Sequence, residues 1–252
     1  MVWNTLEAKL STPRMSRYLQ KNQNKHDRAA EAYVHNMKIA ESLVSIFHVL
    51  EVSLRNGIQK EMAIEYNRLD WYEEWNDPAD ADLQKLYNKI ADAKRALGAR
   101  RVKASPDNIV AELSFGFWTS LFNRATTNKL SKPLMRVFYS CPKSMRQPDK
   151  MRTRLNKGRD LRNRCFHHEP LLWQPLMDIH RDILEVVKWI DPSLHAWVQG
   201  HDRVASTVHE WMTWRDAPVP SPTPCQLQSA PASTCFAHPP NELSSPTDTL
   251  ID

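Results

Sequence analysis

From Arg28 to Tyr66 the chain reads as one long amphipathic helix, and that run constrains the fold more than any other feature. Leu43, Ile46, Phe47, Leu50, Leu54, Ile58 and Met62 recur at three- and four-residue steps, the period of a helix face rather than of a strand. Gly57 weakens such a helix without stopping it. The whole chain of 252 residues holds only 5 glycines, few for a β protein that must turn often. An all-α fold is therefore expected.

Around this helix the sequence punctuates itself. Residues 1–20 predict a short helix that ends near Ser11–Pro13 and restarts, with a polar linker from Lys21 to Asp27. Asn67 to Ala81 carries Trp71, Tyr72, Trp75 and an Asn76-Asp77-Pro78 turn, the pattern of a loop with aromatic anchors. A polar helix from Asp82 to Leu97 is expected to stop at Gly98, the usual residue there. Arg100, Arg101 and Lys103 then form a basic loop. Ser105-Pro106-Asp107 supplies a capping hydroxyl, a first-turn proline and an acid at the positive end of the dipole. One helix is expected from there, with Ile109, Leu113, Phe117 and Leu121 as its apolar stripe. Ser131-Lys132-Pro133 predicts another start, Pro148 a third, and Asp191-Pro192-Ser193 a fourth. Met177 to Ile190 has an amphipathic helical pattern, and Val204 to Trp214 completes the set.

Composition changes at the C-terminal end. Eight of the 17 prolines lie from Ala217 onward, with Ser and Thr between them. Such a segment buries too little apolar area to offset its ordering entropy. The expected organisation is a helical domain over residues 1–215 and a disordered Pro/Ser/Thr-rich tail over 216–252. All 34 Lys and Arg but only 25 of the 29 acids fall in residues 1–215, a balance of +9. That charge suits an anionic partner such as nucleic acid, and equally suits plain solubility. The 4 cysteines, Cys141, Cys165, Cys225 and Cys235, form no CxxC pair, so neither a zinc site nor a disulfide framework is expected. No cofactor is implied. No apolar run approaches the ~18 residues of a membrane span, and MVWNTLEAKLS has no secretory pattern. A cytoplasmic protein is expected.

The chemistry concentrates in Leu161–Pro170, LRNRCFHHEP. On a helical wheel Met151, Leu155, Leu161, Cys165 and Phe166 share one apolar arc, and Arg162 falls inside it. A guanidinium on an apolar face requires a carboxylate, an anionic ligand or a subunit interface in front of it. His167 and His168 follow near the helix end, where Pro170 is expected to stop the helix. In LEVSLRN, Leu50 to Asn56, Glu51 also lies within an apolar stripe. It can pair with Arg55 one turn on, or reach across the core to Arg162. His26, His35, His48, His180, His195, His201 and His209 show no ligand spacing and read as surface or satisfied core residues.

LRNRCFHHEPLL resembles the signature of the Abi-like proteins, bacterial abortive-infection factors of phage resistance. HVLEVSLRN (His48–Asn56) and IVAELSFGFW (Ile109–Trp118) are similar to that family's two other characteristic stretches, in the same order. The likeness covers roughly residues 15–200, and through it the chain is similar to the HEPN superfamily. What the resemblance implies is a helical bundle with additional helices, a homodimer, and a metal-independent endoribonuclease using Arg-Asn-x3-His. Arg162, Asn163 and His167 match that motif, and His168 offers a second register. Glu51, Arg55 and Asn56 would support it. The 2′-hydroxyl of RNA would attack the neighbouring phosphate, with His167 moving the proton and Arg162 holding the phosphate. Asn163 would orient one or the other. The ends left would be a 2′,3′-cyclic phosphate and a 5′-hydroxyl. An RNA or protein antitoxin is a further partner implied. A non-catalytic RNA-binding or dimerisation module is the alternative.

Overall fold

The computed structural model describes residues 2–218, and these are all-α. Eleven α-helices follow one another among the described residues: α1 Val2–Leu10, α2 Thr12–Lys21, α3 His26–Tyr66, α4 Ala81–Ala99, α5 Pro106–Glu112, α6 Phe115–Ser120, α7 Arg124–Arg136, α8 Pro148–Phe166, α9 Leu176–Ile190, α10 Pro192–Gln199 and α11 Val204–Asp216. A 3-10 turn spans Trp71–Trp75. The expected tail lies, from residue 219 on, outside the described residues.

The axis of the bundle is α3. Its 41 residues extend over about 60 Å at 1.5 Å per residue. Ile39, Leu43, Ile46, Phe47, Leu50, Leu54, Ile58 and Met62 are all buried. Helices α2, α7, α8, α9 and α11 each pack against it. Helix α8 runs antiparallel to α3: Gly158 lies beside Leu50, and the Cys165 thiol donates to the Ala40 carbonyl at 3.4 Å. Burial pushes that thiol up to about 11. At the far end of α3, Trp71 donates to the Gln59 amide oxygen at 2.6 Å and Trp75 to the Tyr66 hydroxyl at 3.1 Å. These bonds make the expected aromatic loop a buried anchor.

Several helix starts follow from their caps. Ser105 accepts from Asn108 N at 3.3 Å and Asp191 from Leu194 N at 2.8 Å, satisfying amides that lack a partner in the first turn. Other boundaries differ from expectation. The helix opened by Ser105 ends at Glu112: Leu113 is extended, and the Ser114 hydroxyl caps a second helix by accepting from Phe117 N at 3.3 Å. Ile109, Leu113, Phe117 and Leu121 are buried as one stripe, although two helices supply it. Pro133 opens nothing, because it lies inside α7. It forfeits one ladder bond, while Leu130 and Leu134 on either side of it stay buried. Gly98 is also internal, and α4 stops instead at Arg101, whose φ is 57°. There Arg101 N donates to the Gly98 carbonyl and Val102 N to that of Leu97, each at 2.9 Å, the paired bonds of a Schellman stop.

Two glycines lie at helix contacts, and only one of them is required there. A Cβ on Gly57 would lie 2.8 Å from Val137 Cγ1, inside van der Waals contact, so Gly57 lets the chain after α7 press on α3. A Cβ on Gly158 would meet Ile183 Cγ1 at 3.4 Å, an ordinary contact. Gly57→Ala should therefore lower unfolding stability by about 1–3 kcal/mol from overpacking, despite a propensity gain of up to about 1 kcal/mol. Gly158→Ala should change it by less than about 1 kcal/mol. Urea denaturation of the two variants beside the parent measures both.

Candidate functional site

The site is built on the C-terminal end of α8. His167 N donates to the Asn163 carbonyl at 2.9 Å and closes the last helical turn. His168 N then donates to Cys165 O at 3.1 Å, and Glu169 N to Arg164 O at 2.8 Å. This is again a Schellman stop, with His168 in the left-handed position at φ 56°. The helix thus ends before Pro170, and the turn at His168 is what ends it. Two side-chain contacts hold the turn: Arg164 pairs with Glu169 at 2.8 Å, and the Arg14 guanidinium donates to the His168 carbonyl. His167 and His168 are both exposed.

Arg162 lies one turn inside this end. Its Nη2 is 3.7 Å from Glu51 Oε2 on α3, with 30% and 24% of the two side chains exposed. That distance is too long for a hydrogen bond, so the contact is one of charge. Glu51 makes no ion pair with Arg55. The Arg55 Nε instead points to the Asn56 amide oxygen at 3.5 Å. The Arg162 Cζ sits 4.4 Å from the centroid of the Phe166 ring, a cation–π spacing between i and i+4 neighbours. The buried Arg162 Nε has no hydrogen-bond partner among the described residues. The predicted apolar arc holds for Met151, Leu155, Leu161 and Cys165, all buried, but not for Phe166, which is 47% exposed. Phe166 occupies the last helical position, where the core has ended, and it is covered by the guanidinium rather than by hydrocarbon.

The structure therefore brings Glu51 to Arg162; Asn163 and His167 follow on the same helix end, with His167 five residues on, roughly 140° round the helix and about 7–8 Å along it from Arg162. Asn163 is partly exposed, and its side chain makes no hydrogen bond among the described residues. Neither Arg55 nor Asn56 contacts the motif at hydrogen-bond or ion-pair distance. Asn56 instead lines a separate cleft of about 570 Å³ with Lys60, Tyr139 and Asp191. Among the described residues no group of three or more His, Cys, Asp or Glu is arranged to hold a metal ion, and no helix is long and apolar enough to cross a membrane.

Sequence reasoning missed the partners that fix the segment after the motif. The buried Asn36 amide oxygen accepts from Leu171 N at 2.6 Å. On α2, Tyr18 packs tilted against Trp173 with centroids 5.4 Å apart, and the Arg17 Cζ lies 5.1 Å from that same ring. Burial pushes the Tyr18 hydroxyl up. A polar Asn on the apolar face of α3 was the one available clue. Among the other histidines, His180 is satisfied by Asp202 at 2.6 Å. His35 is buried, with Nδ1 unpartnered among the described residues, and burial depresses its pKa.

Comparison of the chain with protein-family models, with curated proteins and with solved structures finds no match. The geometry of the site stands on its own.

The left-handed backbone at His168 separates the roles of the two histidines. A Cβ in that conformation costs about 1–2 kcal/mol that glycine does not incur. His168→Gly should raise stability by about 1 kcal/mol in thermal or urea unfolding. A marked loss would show that the imidazole itself holds the turn.

Proposed function

We propose that this protein is a metal-independent endoribonuclease of the abortive-infection type, with a HEPN-like bundle and Arg162, Asn163 and His167 as its working residues. One observation carries the reading. A partly exposed guanidinium, steadied by a carboxylate on another helix, stands five residues, about one and a half turns, ahead of an exposed imidazole at a helix terminus. An imidazole transfers protons near neutral pH, and a guanidinium matches the phosphate oxygens. In the reaction proposed, the 2′-oxygen bonds to phosphorus and the bond to the 5′-oxygen breaks. His167 accepts the 2′-hydroxyl proton or delivers one to the leaving 5′-oxygen. Arg162 offsets the charge gathering on the phosphorane, and Asn163 orients the phosphate or the imidazole. A homodimer with both motifs at the shared face would supply two such histidines, one for each proton. A phage-triggered toxin of this kind needs restraint, by a protein or RNA antitoxin.

Purified protein should cleave RNA in EDTA. His167→Ala should slow cleavage by about 100-fold or more, the usual worth of a general acid or base, and Arg162→Ala should do likewise, with helical circular dichroism unchanged in both. Cleavage that required added Mg²⁺ would contradict the mechanism.

A second reading draws on the same contacts. Arg162 already has a carboxylate and an aromatic ring as partners, and Phe166 is an exposed apolar residue beside it. A non-catalytic module that binds RNA or dimerises through this end fits that arrangement. Growth of expressing cells separates the two. Toxicity abolished by His167→Ala supports the nuclease, whereas growth indifferent to His167 supports the module.

A further inference from the structure

Residues 8–26 contain Lys9, Arg14, Arg17, Lys21 and Lys25 and no acid. None of these five cations makes an ion pair among the described residues. Helix α8, also rich in cations, is different. Its Arg152, Arg154, Lys157, Arg159, Arg162 and Arg164 all lie within 4 Å of a carboxylate. The N-terminal helices thus add cations without carboxylate partners among the described residues, as do Arg55 on α3 and Lys150 at the start of α8. On α2, Arg14, Arg17 and Lys21 fall within about 60° of one another on a helical wheel and span about 10 Å. Arg17 and Lys21 are exposed, and Lys25, at the start of α3, continues the exposed run.

The stripe starts at the motif itself, because Arg14 donates to the His168 carbonyl. Beside it Arg17 lies over Trp173, a pairing of cation and aromatic face on which unpaired bases stack. We infer that the Arg14–Arg17–Lys21 face of α2, continued by Lys25, binds the single-stranded RNA flanking the scissile phosphodiester and leads it into the Arg162–His167 end of α8. The inference names the substrate path of the function proposed above and rests on that reading for its catalytic end. A basic amphipathic helix also suits an anionic membrane surface. On α2, however, the apolar side cannot enter a lipid surface, because Met15 and Tyr18 are fully buried in the bundle.

The test uses full-length protein carrying His167→Ala and a short labelled single-stranded RNA, with affinity followed by fluorescence anisotropy over a range of KCl. Replacing Arg17, Lys21 and Lys25 together by Gln should weaken binding on the order of tenfold or more. It should also flatten the slope of log affinity against log salt by about 2, since each single-strand phosphate contact contributes about 0.7. Lys85, Lys89 and Lys143 are exposed and likewise make no ion pair among the described residues. Replacing those three by Gln removes the same charge and should leave the slope unchanged. Equal losses in both triple variants, or no loss in the first, would overturn the inference. So would anisotropy unaffected by the first triple together with its loss of binding to phosphatidylserine vesicles. Cleavage by the parent protein is scored separately. Cleavage with an unaltered slope removes the RNA path alone, and an altered slope without cleavage removes the nuclease alone.

Discussion

The arrangement of the helix end depends on a guanidinium that is only partly desolvated. Arg162 sits where α8 leaves the core, with Glu51 of α3 on one side and Phe166 beneath it. Fully buried, it would need tight hydrogen bonds on every donor; fully exposed, it would have no fixed direction. A charge contact at this degree of exposure is worth about 1 kcal/mol or less. Its consequence is directional: it holds the positive head between Glu51 and the Phe166 ring, on the last turn of α8. The antiparallel packing of α3 and α8, with Gly158 of α8 beside Leu50 and Ile183, makes this possible.

The end of α8 is fixed from outside as well as from within. The left-handed turn at His168 satisfies the last carbonyls of the helix, and the Arg14 guanidinium donates to the carbonyl of His168 itself. Asn36 and the Tyr18–Trp173 contact tie down the residues that follow. His167 is thus exposed on a segment whose backbone has little freedom. Such a combination favours chemistry, since a group must be both reachable and placed.

Much of the helical frame was legible in the sequence, because it rests on local chemistry. The 3.6-residue stripe of α3, the caps at Ser105 and Asp191 and the proline start at Pro148 are each decided within a few residues. Helix ends were read less well wherever the left-handed residue was not glycine. Arg101 and His168 stop their helices, and nothing in their identity announces it, whereas Gly98 lies mid-helix. The break before Ser114 was hidden because both short helices feed one buried stripe. At the site, a glutamate inside an apolar stripe and an arginine inside another pointed to each other, and they lie 3.7 Å apart. The contact between Arg14 and His168 spans 154 positions. It follows from how α2 packs, and no local pattern encodes it.

The most direct measurement is the chemical identity of the ends produced when pure protein is incubated with RNA in the presence of a chelator. The attack proposed, by the RNA's own 2′-oxygen with Arg162 and His167 as the working groups, would leave a 2′,3′-cyclic phosphate and a 5′-hydroxyl. Ends bearing a 3′-hydroxyl and a 5′-phosphate would mean that water attacked instead, and would contradict the account given of this site.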